Sequence, residues 1–213
     1  MLHAARRVAA SGVVDSLVAT APAGLSDSIR DIVADDPYVT VPVRVVDGGP
    51  TRQASVAAGL ALARPHDDVV LVHDAARPLA SPELVRRVVA AVRAGHAAVV
   101  PGLPVVDTIK RVAPARVTTP ASGPTVEQVT GTPDRTELRA VQTPQGFARE
   151  LLERAHAEGA ARAVADHLAA TDDAGLVEAL GEPVHVVAGE ESALKITTER
   201  DLLVAALLLG GRR

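Results

Sequence analysis

Val69-Val70-Leu71-Val72-His73-Asp74-Ala75-Ala76-Arg77-Pro78-Leu79 decides the fold class, because a short apolar run ends abruptly in charge and then in a proline. Four apolar residues, three of them β-branched, suit a strand buried on both faces, and open parallel sheets take ligands just beyond the carboxyl ends of such strands. Asp74 and Arg77 fall at that end. Ala75 and Ala76 let another group approach the backbone closely, and Pro78 forbids continuation of the strand. The alternative is a strand-to-helix turn closed by a local ion pair, so the flanking sequence has to decide.

Upstream, residues 3–10 read as a helix stopping at Gly12, and Val13 to Thr20 as a strand. A helix capped by Ser26 or Ser28 then runs to about Ala34, and Val41 to Val46 forms the next strand. Asp47-Gly48-Gly49-Pro50-Thr51-Arg52-Gln53-Ala54-Ser55-Val56 follows, leading into an Ala-rich helix that ends near Ala63. Strand, glycine loop and helix start bind anions and ribose hydroxyls through backbone N–H groups, although a Gly-Gly turn with a Ser cap is also a common structural device. The spacing is neither a Walker loop nor a dinucleotide fingerprint, and Arg52 and Ser55 are the side chains that would favour a ligand.

Downstream, Ser81-Pro82-Glu83 supplies a cap, a first-turn proline and an acid for a helix closing at Gly95, and His96 to Pro101 is another buried strand. The alternation predicts one α/β domain over residues 1–213, a mostly parallel sheet with helices on both faces. From residue 105 to 137 the pattern changes to two alternating stretches, Val106 to Val112 and Val126 to Thr130, around a Pro-rich tip from Pro114 to Pro124. This predicts a projecting β-arm, which is marginal alone in water and calls for a partner chain. Leu138 to Val141 returns to the sheet, and Gln142-Thr143-Pro144-Gln145 leaves polar residues past its end, before a helix to about Gly159. Thr171 is expected to cap the helix of Asp172-Asp173, Val184 to Val187 is a strand, and Thr198-Glu199-Arg200-Asp201 carries a capping-box pattern.

Composition narrows the chemistry. Apolar residues make up 47%, yet Tyr38 and Phe147 are the only aromatics, so the core is Ala, Val and Leu. With no cysteine, disulfides, zinc–thiolate sites and Cys nucleophiles are excluded. A net charge of -4 and the lack of a basic run argue against nucleic acid as a partner. The longest apolar run, Leu202 to Leu209, is too short for a bilayer, and the amino terminus has no signal-peptide core, which leads us to expect a cytoplasmic protein. Histidine pairs at metal-ligand spacing and a G-x-S-x-G elbow are both missing. Of 22 basic residues only Lys110 and Lys195 are lysines, and Lys195 between Leu194 and Ile196 either snorkels outward or aims its ammonium at an anion. What remains is Arg, Lys, Thr, Ser and Asp at strand ends, a set suited to phosphates and hydroxyls.

Taken in order, Gly48-Gly49-x-x-Arg52-x-x-Ser55-Val56, His73-Asp74-Ala75-Ala76-Arg77-Pro78, Asp107-Thr108-Ile109-Lys110, Arg135, Gln142-Thr143-Pro144-Gln145, Thr171-Asp172-Asp173 and Lys195-Ile196-Thr197 resemble the 2-C-methyl-D-erythritol 4-phosphate cytidylyltransferases. The resemblance implies a Rossmann-like nucleotidyltransferase fold, CTP as co-substrate, Mg²⁺, a homodimer formed through the arm, and a step in isoprenoid precursor synthesis. It further implies that Gly49, Arg52, Ser55 and Ala75 lie along the nucleotide, and that Asp74, Arg77, Thr143, Thr171 and Lys195 surround the acceptor. Arg135 and Thr108 would reach in from the other subunit, with Arg135 and Lys195 holding the acceptor for attack and Asp74 as the one possible metal contact. Family members open with a strand and a Gly-rich loop bearing an Arg and a Lys, and residues 1–213 start after that pattern. Negligible activity of these residues alone is the resulting expectation. Two rival readings are a cytidylyltransferase for ribitol 5-phosphate or a similar pentitol phosphate, and an inactive truncated homologue. Ala76 favours the methylerythritol enzyme over the pentitol one.

Overall fold

The computed structural model describes residues 1–113, 126–166 and 171–210, which fall into two compact units, Met1–Gly102 with Val141–Arg213 and Leu103–Ala140. In chain order the elements are α1 (Leu2–Ala9), β1 (Leu17–Ala21), α2 (Ser26–Ala34), β2 (Val43–Asp47), α3 (Arg52–Leu60), β3 (Val69–Val72), α4 (Pro82–Arg93) and β4 (Ala98–Pro104). There follow β5 (Arg111–Val112), β6 (Val129–Gly131), β7 (Arg139–Val141), β8 (Gln145–Ala148), α5 (Arg149–Asp166), α6 (Asp173–Glu178), β9 (His185–Ala188) and α7 (Glu199–Gly210). Strands and helices alternate along the larger unit, as the α/β reading predicts.

In the larger unit β1 and β2 form a parallel pair. A second ladder runs β3, β8, β4, with β9 parallel to β4 on its far side. The sequence reading missed β8, taking its residues for a loop. It lies antiparallel to both β3 and β4, so the second ladder is mixed. Gly146 makes the insertion possible, because a Cβ there would sit 2.5 Å from Val88 Cγ1 of α4. Phe147 and Gln145 are fully enclosed on this strand, and Leu151, Leu152 and Ala155 of α5 pack against Phe147 together with Leu176 and Val177 of α6. On the opposite face α4 presents Val88 and Val92 to Val99.

β3 is a strand where expected, yet it is half-buried, with none of its four residues enclosed. A cavity of about 750 Å³ explains why: it runs between β1 and β3, lined by Leu17–Thr20, Val69–Val72, Val8, Gly59 and Leu60. No strand of the described residues pairs with the facing edge of either. Val13 to Ser16, expected within the first strand, precede β1 and line the same cavity.

Caps follow the sequence in some places only. Ser81 Oγ accepts from Leu84 N at 3.1 Å and opens α4, and Gly95 closes it at φ 103°. At α7, Asp201 Oδ2 accepts from Thr198 N at 2.9 Å while Thr198 Oγ1 accepts from Asp201 N at 3.2 Å, the reciprocal box. Ser26 caps nothing: its hydroxyl is hydrogen-bonded to Asp47 instead. Thr51, rather than Ser55, caps α3, and Asp172, rather than Thr171, caps α6. α5 runs through Gly159 instead of ending there, because that glycine is a close-packing point, where a Cβ would lie 2.6 Å from Leu176 Cδ2.

In the smaller unit β5 and β6 pair antiparallel, shorter than the arm drawn from the sequence. Pro114 to Pro124, the expected tip, lies outside the described residues. Lys110 Nζ donates to Thr132 Oγ1 at 2.8 Å, and Arg135 heads a short 3₁₀ turn, Arg135–Glu137.

Candidate active site

The carboxyl end of β3 gathers cations around one carboxylate. Asp74 Oδ2 lies 3.1 Å from Lys195 Nζ and 3.9 Å from Arg77 Nε, and Oδ1 lies 3.6 Å from Arg52 Nε. Burial would raise the Asp74 carboxyl, but the Lys195 ammonium, Arg52 and Arg77 outweigh it and hold the group below its ordinary value. The carboxylate is therefore ionised and faces three cations. Its backbone is pinned too, since Asp74 N donates to Thr143 Oγ1 at 3.0 Å. The Thr143–Pro144 peptide is cis.

Arg52 stands at the start of α3, above the Gly48-Gly49 turn. A Cβ on Gly49 would lie 2.4 Å from Ala54 Cβ, so the turn and helix approach only because the position is glycine. Ser55 Oγ donates to Thr51 O at 2.9 Å and reaches Gly49 O at 3.3 Å, which ties the loop to the helix it opens. Ala75 is exposed just past the carboxyl end of β3. Thr171 is also exposed, just before α6.

Arg77 is the residue that the resemblance sets beside the acceptor. Its side chain is 13% exposed and turned inward, with Nη1 donating to Ala193 O at 2.7 Å and Nη2 to Val141 O at 3.3 Å. It braces the loop carrying Lys195 against the strand ends and supplies charge from behind Asp74. Arg135 and Thr108 belong to the smaller unit, both exposed, and Arg135 Nη1 donates to Val106 O at 2.5 Å.

Several functional candidates escaped the sequence. Asp173 Oδ2 forms an ion pair with Arg52 Nη2 at 2.8 Å. Gln145, enclosed on β8, donates from Nε2 to Asp172 Oδ2 at 2.7 Å and accepts from Ala174 N at 3.2 Å, bolting α6 to the sheet. Gln142 and Glu190 do the same for the next loop, where Glu190 N donates to Gln142 Oε1 at 3.0 Å and Glu190 Oε2 accepts from Ser81 Oγ at 2.7 Å. Gln142, Gln145 and Asp173 stood inside segments that carry the resemblance, but nothing in the sequence set out these contacts. Among the described residues no group of three His, Asp or Glu side chains could hold a metal ion, and no helix is long and apolar enough to cross a membrane.

His73 carries a pH dependence. Its Nδ1 lies 3.0 Å from Thr143 Oγ1, the shielded Nε2 has no hydrogen-bond partner among the described residues, and burial pushes the imidazole down to about 4 from 6.5. The folded ring stays neutral while the unfolded one takes a proton, so full stability above pH 6.5 is lost as the pH falls toward 4. The loss is at most about 3 kcal/mol. Urea midpoints of His73→Gln should stay flatter than wild type across that window, and parallel curves would exclude the effect.

The chain's likeness to known proteins agrees with this geometry. The family model IspD, 2-C-methyl-D-erythritol 4-phosphate cytidylyltransferase, matches residues 1–211. A curated protein of that name from Nocardia farcinica is 53% identical over 203 residues, covering 95% of this chain and 78% of the relative. One from Streptomyces avermitilis is 46% identical, covering 100% and 81%. Among solved structures, 4-diphosphocytidyl-2C-methyl-D-erythritol synthase from Anaerococcus prevotii superposes with a TM-score of 0.82 at 30% identity, covering 98% of this chain and 87% of that one. The 2-C-methyl-D-erythritol 4-phosphate cytidylyltransferase of Thermus thermophilus gives 0.70 at 38%, covering 95% and 86%. Extending over nearly the whole chain, these matches place it in the 2-C-methyl-D-erythritol 4-phosphate cytidylyltransferase family.

Proposed function

We propose that the chain transfers the cytidylyl group of CTP to the phosphate of 2-C-methyl-D-erythritol 4-phosphate, in isoprenoid precursor synthesis. The observation that carries this reading is the convergence of Lys195, Arg52 and Arg77 on Asp74 at the end of β3. An acceptor phosphate is already an anion and needs no general base. One of its oxygens attacks the α-phosphorus of CTP, the bond from that phosphorus to the bridging oxygen breaks, and pyrophosphate leaves with the electron pair. Catalysis is then alignment and cancellation of repulsion between two polyanions. Lys195, 45% exposed beside Asp74, is the mobile charge that can follow the transferring group.

Arg52, Gly49, Ser55 and Ala75 line the nucleotide side in this reading. Asp74, with its carboxylate anchored, accepts from acceptor hydroxyls, and Thr143 and Thr171 complete that side. Arg135 and Thr108 serve the site of a second copy in a homodimer joined through the 103–140 unit. Mg²⁺ would be held mainly by the triphosphate with Asp74 at most assisting, since that carboxylate is already engaged by three cations and Mg²⁺ accepts few protein ligands. When bound it offsets charge developing on the leaving pyrophosphate.

Pyrophosphate release and calorimetric binding, each with 2-C-methyl-D-erythritol 4-phosphate and with ribitol 5-phosphate beside CTP, test the reading. A preference of about tenfold or more for the methylerythritol acceptor, equivalent to about 1.4 kcal/mol, supports it. Equal or reversed preference overturns it.

A further inference from the structure

Two enclosed groups behind the site take no part in the reading above. Asp173, 0% exposed, opens α6, and His156, 5% exposed, points inward from α5. His156 Nε2 and Asp173 Oδ1 are 2.9 Å apart. The other carboxylate oxygen reaches forward to Arg52 Nη2 at 2.8 Å. The three side chains form a line from the core to the mouth.

An enclosed carboxylate is costly unless it is hydrogen-bonded and paired, and here Oδ1 meets His156 Nε2 while Oδ2 forms an ion pair with Arg52. The imidazole is committed in the same direction, because its buried Nδ1 has no hydrogen-bond partner among the described residues and Asp173 takes up the other nitrogen. A histidine kept only for packing would be better replaced by an apolar side chain of similar size. Arg52 gains most. A free arginine has about 2 kcal/mol of rotamer entropy to lose on binding a phosphate, and a guanidinium already fixed loses less at that moment. Asp74, at 3.6 Å and shared with two other cations, is the looser of the two anchors. Gln145 holds the first turn of α6 to β8, so Asp173 is itself on a rigid mount.

We propose that the His156–Asp173 pair is a positioning device for Arg52, which fixes the guanidinium at the mouth of the site and thereby sets the affinity for the phosphates of the nucleotide. It rests on the nucleotidyl-transfer reading for its ligand, but not for its geometry. Neither residue touches substrate.

Nitrogen-15 NMR of the arginine Nε–Hε signals, with Arg52 assigned by Arg52→Lys, reads guanidinium order in the ligand-free protein. The wild-type Arg52 signal should be dispersed and protected from exchange. Asp173→Asn, nearly isosteric, should move it to the position of a solvated arginine and weaken CTP binding about tenfold, with acceptor binding changed less than about twofold. His156→Leu should do the same, and His156→Gln, which keeps a donor facing the carboxylate, should restore both readouts. The leucine–glutamine contrast decides the matter if Asp173→Asn fails to fold. An Arg52 signal unchanged by these variants, or lost with no change in CTP affinity, overturns the proposal. A wild-type chain that takes up no CTP refutes the nucleotidyl-transfer reading alone, while the ligand-free signal still decides the positioning.

Discussion

Replacing Lys195 by methionine should lower kcat/KM for cytidylyl transfer by roughly 10²–10³-fold, the loss that follows removal of one preorganised charge donor from a transition state. Methionine keeps most of the stem length, so packing between Leu194 and Ile196 is retained while the ammonium 3.1 Å from Asp74 is lost. Two consequences add. The transferring phosphoryl group loses its mobile cation, and Asp74 keeps only the more distant Arg52 and Arg77. The carboxyl should then titrate closer to its ordinary value, since Lys195 is the strongest of the three influences that lower it. Lys195→Arg is the informative companion: it restores charge without the compact head, and a planar fork beside Asp74 should recover only part of the rate. A change below about fivefold in Lys195→Met would remove the residue from the chemistry.

Phe147→Ala should cost about 3–5 kcal/mol in urea unfolding, as large-to-small changes at enclosed aromatic positions do. Phe147 is the only phenylalanine in the chain and is 0% exposed at the centre of β8, packed against Leu151, Leu152, Ala155, Leu176 and Val177. Little bulk is at hand to refill the space, because the surrounding side chains are Ala, Val and Leu. Against a typical domain stability of about 5–15 kcal/mol the change is severe. The effect should reach the site as well, since β8 carries Gln145, which mounts α6 and hence Asp173. A loss under about 1 kcal/mol would mean that the strand contributes little to the core.

What could be read in advance follows from where the physics is local. β3, its charged turn and the capped start of α4 are written in contiguous residues, and so is the reciprocal box at Thr198 and Asp201. β8 is not. Its four residues include a glycine and an enclosed glutamine, and the segment becomes a strand only because β3 and β4 stand on either side to pair with it. Thr51 and Asp172 displaced the expected caps by one or a few positions, a choice between neighbouring hydroxyls and carboxylates that the final chain direction settles. At the site, Asp74, Lys195, Arg52 and Thr143 were legible as polar groups past strand ends, and the structure brings them together. The line from His156 to Asp173 to Arg52 was not, because its members lie on three separate helices and no spacing in the sequence encodes their meeting.

The cavity between β1 and β3 bears on how the molecule comes apart. A continuous sheet transmits cooperativity through its backbone ladder, but among the described residues no strand bridges these two edges. The β1–β2 pair is joined to the rest by side chains and helices, whereas β3, β8, β4 and β9 share backbone bonds. Such a break separates foldons. Amides of Leu17 to Ala21 should therefore exchange through an opening of residues 13–47 that leaves β8 and β4 protected. The same opening would carry Gly48 and Gly49 with it, so local melting of the first ladder and loss of the nucleotide side of the site would be a single event.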